Sequence, residues 1–390
     1  MSRGTELKQL AGLFLKLGAT AFGGPAAHIA MMEEEVVRRR GWLSREAFLD
    51  LVGATNLIPG PNSTEMAIHI GYTRARWAGL LVAGLSFILP AFLITGALAW
   101  AYVRFGKLPQ ATGLLYGVKP VVIAIVSQAL WGLGRTAVKT QSLAVVGVAA
   151  GVLTFLRVNE LLVLLTAGLI VPLSRWAVRA GRKGVQPPAV LCTMGALIPL
   201  AAGSPATVTT LAAPFGLWPL FVFFTKVGAV LFGSGYVLLA FLRADLVNRW
   251  GWISEAQLLD ATAVGQVTPG PVFSTATFIG YILAGPMGAL AGTVGIFLPA
   301  FFFVAISGPL VPRLRRSPVA GSFLDGVNVA SLALMAVVTW QLGRAALVDL
   351  PSVALGVAAA LALFRFRLNS AWLVLGAAGI GLLTYAEYYP

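Results

Sequence analysis

From Trp77 to Val103 the chain reads WAGLLVAGLSFILPAFLITGALAWAYV, without one charged side chain. About 20 apolar residues suffice to cross a bilayer as a helix. Similar apolar runs occupy 205–225, 285–308 and 321–343, with shorter ones at 141–156, 161–173, 345–363 and 371–386. The runs are continuous rather than alternating, which argues against the strands of a membrane barrel. The pattern predicts an all-α polytopic membrane protein with about ten to twelve embedded segments, the shorter runs forming hairpins or tilted pairs.

The pattern also repeats. FLKLGATAFGGP (14–25) returns as FTKVGAVLFGSG (224–235), GWLSREAFLD (41–50) as GWISEAQLLD (251–260), and the PGP at 59–61 as that at 269–271, each 210 positions on. The offset then drops to 209 for Gly71-Tyr72 with Gly280-Tyr281, LPAF at 89–92 with 298–301, and Trp131 with Trp340. The expectation is two homologous halves, 1–173 and 189–390, joined by a basic linker, 174–188. Paired Gly/Pro-broken helices in duplicated halves are the mark of a secondary transporter; the hydropathy, ambiguous by one segment, fits parallel or inverted halves, and inverted repeats are the reading favoured.

Composition agrees with this class. Hydrophobic residues make up 58% of the chain and charged ones 11%, against roughly 25% charged in soluble domains. A net charge of +14 would suggest nucleic acid in another class of protein. Here the cations sit in short loops, Arg38 to Arg40, Arg175 to Lys183 and Arg313 to Arg316, as on a cytoplasmic membrane face. One cysteine, Cys192, allows no internal disulfide. The N-terminus has no typical secretory signal, and its first apolar run is expected to stay in the mature protein.

Candidate chemistry gathers where the apolar runs break. Two prolines around a glycine end one helix and let another begin. In NLIPGPNSTEMAIHIGY (56–72) Asn62 is placed to cap the new helix and Glu65 to reach back. Ser274 and Thr275 hold comparable ground in half 2. A helix start inside a membrane favours an oxyanion; the plainer reading is a kink whose freed groups are satisfied locally. Lys16 and Lys226 sit at matched positions among Leu, Phe, Val and Gly, where a buried charge is a functional hypothesis unless it snorkels to an interface. Lys119 is a third such lysine, matched by Asn328.

The FGGP and FGSG breaks follow the lysines and fit either an unwound cavity wall or close helix packing. In EEEVVRRR (33–40) Glu34 with Arg38 and Glu35 with Arg39 are spaced to pair along a helix. The run is expected to be a solvated face, with Glu33 as a proton or gating group. Ser44 and Ser254 are expected N-caps, the second completed by Gln257. His28 and His69 have no repeat partners and fit packed polar positions, although either can titrate near neutral pH. No Walker loop, His/Cys metal cluster or nucleophile elbow is present, so no ATPase, metal, cofactor or catalytic residue is expected. An intramembrane enzyme using His69 and Ser63 is the alternative from another class.

The stretch FGGPAAHIAMMEEEVVRRRGWLSREAFLDLVGATNLIPGPNSTEMAIHIGYTRA resembles the N-terminal signature of the chromate ion transporter family, and the second half resembles that family's diverged C-terminal domain. The resemblance implies a two-domain protein of a bacterial inner membrane that exports chromate, a sulfate-like oxyanion, using the proton-motive force. It implies halves of opposite orientation. A sulfate carrier or an anion channel remains open. Implied partners are chromate or sulfate, the bilayer and protons, without nucleic acid; a homodimer is also open.

The candidate oxyanion site comprises Lys16, Phe22, Gly23, Gly24, Asn56, Pro59, Gly60, Pro61, Asn62, Ser63 and Thr64 in half 1. Half 2 contributes Lys226, Gly233, Ser234, Gln266, Gly270, Ser274 and Thr275. Glu65, Glu33, His69 and Lys119 are the candidates for coupling or gating. Half 2 departs from the stronger motif, with Ser234-Gly235 for Gly24-Pro25 and Val272-Phe273 for Asn62-Ser63, so equal ligands from both halves are not expected.

Overall fold

The structure is a computed structural model that describes residues 3–22, 24–106, 108–181, 215–232, 235–315, 318–366, 368 and 370–388. Every regular element among the described residues is helical. Half 1 contains α1 (Arg3–Thr20), α2 (Gly24–Glu33) continuing into π-type turns at Glu34–Arg39, α3 (Arg45–Thr55), α4 (Asn62–Phe105), α5 (Pro109–Ala137), α6 (Gln141–Phe155) and α7 (Glu160–Gly181). Half 2 contains α8 (Leu217–Val230), α9 (Leu238–Phe241) with π-type turns at Leu242–Arg249, α10 (Glu255–Val267), α11 (Thr275–Arg315), α12 (Pro318–Ala346), α13 (Leu350–Phe366) and α14 (Ser370–Tyr388). Of the apolar run at 205–225, residues 205–214 lie outside the described residues, as do 182–188 of the basic linker and Cys192.

Among the described residues five stretches are long and apolar enough to cross a membrane: Asn62–Phe105, Gln110–Ala137, Glu160–Ala177, Val272–Ser307 and Gly321–Ala346. The outer face of α4 carries Leu81, Leu85, Leu89 and Leu93, all exposed, a four-residue period that lays one apolar stripe along a helix. In water such a stripe would be a liability; against lipid tails it is the expected surface. This is a multi-pass membrane protein.

The 44-residue α4 is a hairpin rather than one rod. Its backbone leaves helical geometry at Ala75 (φ −141°, ψ 28°) and Arg76 (φ 53°, ψ −139°). Gly71 and Gly79 then face each other so closely that a Cβ on either would strike the other's carbonyl. The same reversal occurs in α11 at Ala284 and Gly285, with Gly280 against Gly288 and a Thr277–Thr293 hydroxyl bond of 2.7 Å between the limbs. The short limb of α4 is about 20 Å long at 1.5 Å per residue, too short for a hydrocarbon core of about 30 Å. Each half therefore holds one helix that starts at a PGP break, runs part-way and turns back.

Repeat-equivalent helices run antiparallel. At one end of the α5–α12 pair Lys139 meets Asp325 at 2.8 Å. Further along, Leu332 lies 3.5 Å from where a Cβ on Gly134 would stand, and Ile123 lies 3.6 Å from the corresponding point on Gly343. Residue numbers rise along α5 as they fall along α12. The long limbs of α4 and α11 cross in the same sense, with Phe301 against Gly84 and Leu80 in one cluster with Val304. Antiparallel equivalents are what inversion of one half produces. The halves also exchange partners: α5 packs against α13 and α14, while α12 packs against α6 and α7.

Candidate functional site

The two PGP breaks meet the opposite half. Gly60 (φ 137°) and Gly270 (φ 92°) adopt backbone angles open to glycine. The Gly60 amide donates to the Leu231 carbonyl at 2.7 Å, and the Gly270 amide donates to the Ala21 carbonyl at 2.9 Å. Leu231 and Ala21 are buried residues just past the ends of α8 and α1, immediately before Phe232 and Phe22. Each broken helix thus starts against the Phe-Gly break of the other half. The Ala21 carbonyl also accepts from the His28 ring at 3.1 Å, and His28 lies edge-on to Phe87, as expected of a packed polar residue. Phe22 is partly exposed and Gly24 opens α2 at φ 79°. Gly23, Gly233 and Ser234 lie outside the described residues.

At the start of α4 the expected capping box does not form. Pro61 is the N-cap and has no side-chain acceptor, so its carbonyl takes the amides of Thr64 (2.8 Å) and Glu65 (3.0 Å). Asn62 is the first helical residue and turns its amide group to Asn56 Oδ1 at 2.8 Å. Glu65 does not reach back to the cap. Its carboxyl lies against Gly60 and near Ala300 of α11, fully buried, and neither oxygen has a hydrogen-bond partner. Thr64 Oγ1 and His69 Nε2 are likewise buried without a partner, as is Ser274 Oγ in half 2. In half 2 a 3₁₀ turn, Val272–Ser274, precedes α11, and Thr275 Oγ1 donates to the Val272 carbonyl at 2.8 Å. Ser63 is buried on the same short limb as His69.

The lysines are paired, which corrects the expectation of unaccompanied buried charges. Lys16 Nζ bonds Glu35 Oε1 at 3.0 Å with its side chain 57% exposed; Lys226 Nζ bonds Asp245 Oδ2 at 2.9 Å and is 35% exposed. Glu35 and Asp245 are repeat equivalents, each 19 residues after its lysine. Arg39 and Arg40 also reach Glu35, and Arg249 reaches Asp245. The bonds from Lys16 and Arg40 outweigh burial and hold the Glu35 carboxyl below its usual range. The charge run is therefore only partly a solvated face: Arg38, Arg39 and Arg40 are exposed, but Glu35 is a buried anchor. Glu33 pairs with Arg45 at 3.7 Å. Ser44 and Ser254 are the N-caps of α3 and α10, the second with a full capping box through Gln257.

Lys119 lies at the seam between the halves. Its Nζ is 3.1 Å from Asp260 Oδ1 of α10, whose Oδ2 accepts from the Tyr102 hydroxyl at 2.9 Å. One turn away the Tyr116 hydroxyl donates to Asp349 Oδ1 at 2.6 Å, again across halves. The other end of the α5–α12 pair is open. A cavity of about 180 Å³ there is lined by Asn56, Thr136, Lys139, Asp325, Asn328 and Ser331 among others. Gln266, the repeat equivalent of Asn56, sits on α10 with Asp260. Asp260, Tyr102, Asp349 and Asp325 were not singled out in the sequence. They act through contacts more than 140 residues apart, which no local spacing announces. For Asp245 and Asp260 part of the signal existed: an acid recurs at the 210 offset, as Glu35 and Asp50. Among the described residues no cluster of three His, Cys, Asp or Glu side chains is placed to hold a metal.

The chromate transporter family model matches residues 8–172 and again 218–382. The chain belongs to the chromate transporter family. Similar to this family member are the chromate transport protein of Cupriavidus metallidurans, 34% identical over 97% of this chain and 93% of that one, and the probable chromate transport protein of Synechococcus elongatus, 33% identical over 98% and 96%. The chromate transport protein of Pseudomonas aeruginosa is 33% identical over 97% and 92%. No solved structure matches the chain.

Proposed function

We propose that this chain carries chromate, or a tetrahedral oxyanion of the same class such as sulfate, across a membrane between its two inverted halves. The observation that carries the reading is the exchanged pair of backbone bonds, Gly60 to Leu231 and Gly270 to Ala21. It brings both intramembrane helix starts to the interface of the halves, where a relative movement would open or close them together. The relatives' names supply the substrate class. The first amides of a helix have no acceptor within it and attract anions. Asn62, Ser63, Thr64, Ser274 and Thr275 stand at those starts. Lys16 and Lys226 take part by releasing Glu35 and Asp245 in favour of the anion.

Glu65 is the coupling group in this reading. Its carboxyl is buried without donor or counter-charge, so an ionised form there is uncompensated, and a dianion beside it would repel it. A proton on Glu65 travels with the anion's binding. Export from a bacterial cytoplasm across the inner membrane, driven by the proton gradient, completes the proposal.

The test is chromate flux in proteoliposomes, with and without an imposed pH gradient and with sulfate as competitor. Gradient-dependent flux inhibited by sulfate is expected, and flux indifferent to the gradient would overturn coupling. Glu65→Gln should keep chromate binding within about threefold, because the side chain stays neutral and similar in shape, yet lose the gradient dependence. If flux in that variant still follows the gradient, Glu65 does not couple.

A further inference from the structure

The cavity at the open end of α5 and α12 differs in chemistry from its surroundings. Its volume, about 180 Å³, is room for several waters at about 30 Å³ each, and so for one small polyatomic ion. Ser331 lines it and is 2% exposed, yet its Oγ has no hydrogen-bond partner. A buried hydroxyl without a partner costs stability unless something in the cavity answers it. Asn56 lines it too; the Asn56 oxygen is held by Asn62, which leaves the amide hydrogens as its remaining polar groups. Asn328 adds another amide and Lys139 an ammonium.

The charge is also one-sided. Asp325 is the carboxylate in the lining, and it is held twice, by Lys139 at 2.8 Å and by Arg175 at 3.0 Å. Two cations share one anion, which leaves a net positive charge at a wall rich in donors. Donors with surplus positive charge select an anion, and a tetrahedral oxyanion presents acceptors in every direction.

The repeat-related positions sharpen the point. Where half 2 has Asn328 and Ser331, half 1 has Lys119 and Val122; where half 1 has Asn56 and Lys139, half 2 has Gln266 and Val348. The unpartnered hydroxyl is replaced by a methyl pair, and Lys119 is taken by Asp260. This set of donors is therefore not repeated at the matched positions of the other end.

We propose that the cavity lined by Asn56, Lys139, Asn328 and Ser331 is a second, outer binding station for a tetrahedral oxyanion, present on one face of the protein only. An anion held there is one side chain from the broken helix, because Asn56 bonds Asn62, the first residue of α4. The station rests on the proposed function for its role in transport but not for its occupancy.

The test reads occupancy directly. In a full-length Cys192→Ser background, Ser331→Cys is exposed to a membrane-impermeant methanethiosulfonate, with sulfate as the probe because it does not oxidise thiols. Sulfate at about four times its dissociation constant should slow modification about fivefold, while chloride at equal ionic strength should not. Addition of Lys139→Met should abolish the protection. A rate indifferent to sulfate, or protection that survives Lys139→Met, overturns the station. If Ser331→Cys proves unreactive, the exposed Asn56→Cys is read the same way, and no protection there overturns it equally. Flux does not enter, so absence of transport with protection intact would fault the transport reading alone.

Discussion

The two ends of the α5–α12 pair are built from the same repeat and differ in what crosses the seam. At one end Lys119, Asp260 and Tyr102 join half 1 to half 2 through a largely buried ion pair and a hydroxyl bond, and Tyr116 reaches Asp349. At the other, the matched positions line a cavity, and the ion pairs of Asp325 go to a lysine 62% exposed and an arginine 38% exposed. Asn328 stands where the sealed end has Lys119. A lysine paired with an acid of the opposite half marks one end, and Asn328 and Ser331 facing a cavity mark the other. In inverted repeats these ends face opposite sides of the membrane, and the asymmetry is the one that the proposed carrier would show when open to one side.

The largest effect should come from taking Asp260 away. Asp260→Ala leaves Lys119, 22% exposed, with no counter-charge, and breaking a buried pair by removing one partner costs about 3–5 kcal/mol. Thermal unfolding in detergent should fall by several degrees, and a cysteine at Val122 should become reactive to a thiol reagent. The double change Lys119→Met with Asp260→Leu should recover most of the stability, because it removes both charges together. If the single variant melts like the parent and Val122→Cys stays protected, the ion pair does not hold that end shut.

How much of this could be read in the chain depends on the range of the interaction. The PGP breaks and the serine caps were legible because each is fixed by residues within one turn. So were the two halves, because Gly60 and Gly270 keep one offset. The reversal inside α4 was not. No proline marks it, and the residue that takes the left-handed φ is Arg76; only its repeat partner in α11 is a glycine, Gly285. Read together, the halves would have suggested a turn that half 1 alone hides. The lysines misled for another reason. Their sequence neighbours are apolar, but their carboxylate partners come from the next helix, and pairing removes the cost that made them conspicuous. The Asp260 contact joins halves: the acid recurs as Asp50 at the 210 offset, but no local spacing names Lys119 as its partner.

A smaller effect is expected at Tyr116 and Asp349, also at the sealed end, where Asp349 lies outside the apolar spans, between α12 and α13. Burial favours the neutral carboxyl of Asp349, and the bonds from Tyr116 and Ser352 outweigh it, so its pKa is lowered from the usual aspartate value. A carboxyl depressed in the folded state stabilises above its unfolded pKa, and that stability is lost as pH falls through the folded value. The contribution should therefore be full at neutral pH and disappear only in acid. Tyr116→Phe should cost about 1 kcal/mol at neutral pH, and the gap to the parent should narrow as the pH falls below the normal aspartate range. A gap that widens in acid would mean that Tyr116 acts through packing and not through the carboxylate.

The smallest change in stability, and the sharpest in function, belongs to Asp325 at the open end. Its partners are largely solvated, so Asp325→Asn should cost under about 1 kcal/mol, against several for Asp260→Ala. Yet the same substitution removes the one carboxylate in the cavity lining and leaves Lys139 and Arg175 unopposed. If the cavity takes an oxyanion, less sulfate should be needed to protect Ser331→Cys in this background, by about threefold or more for one charge of repulsion removed at partial screening. The gain should shrink as salt is raised. Weaker protection would instead mean that Asp325 positions the two cations and that their alignment, not their surplus charge, makes the open end what it is.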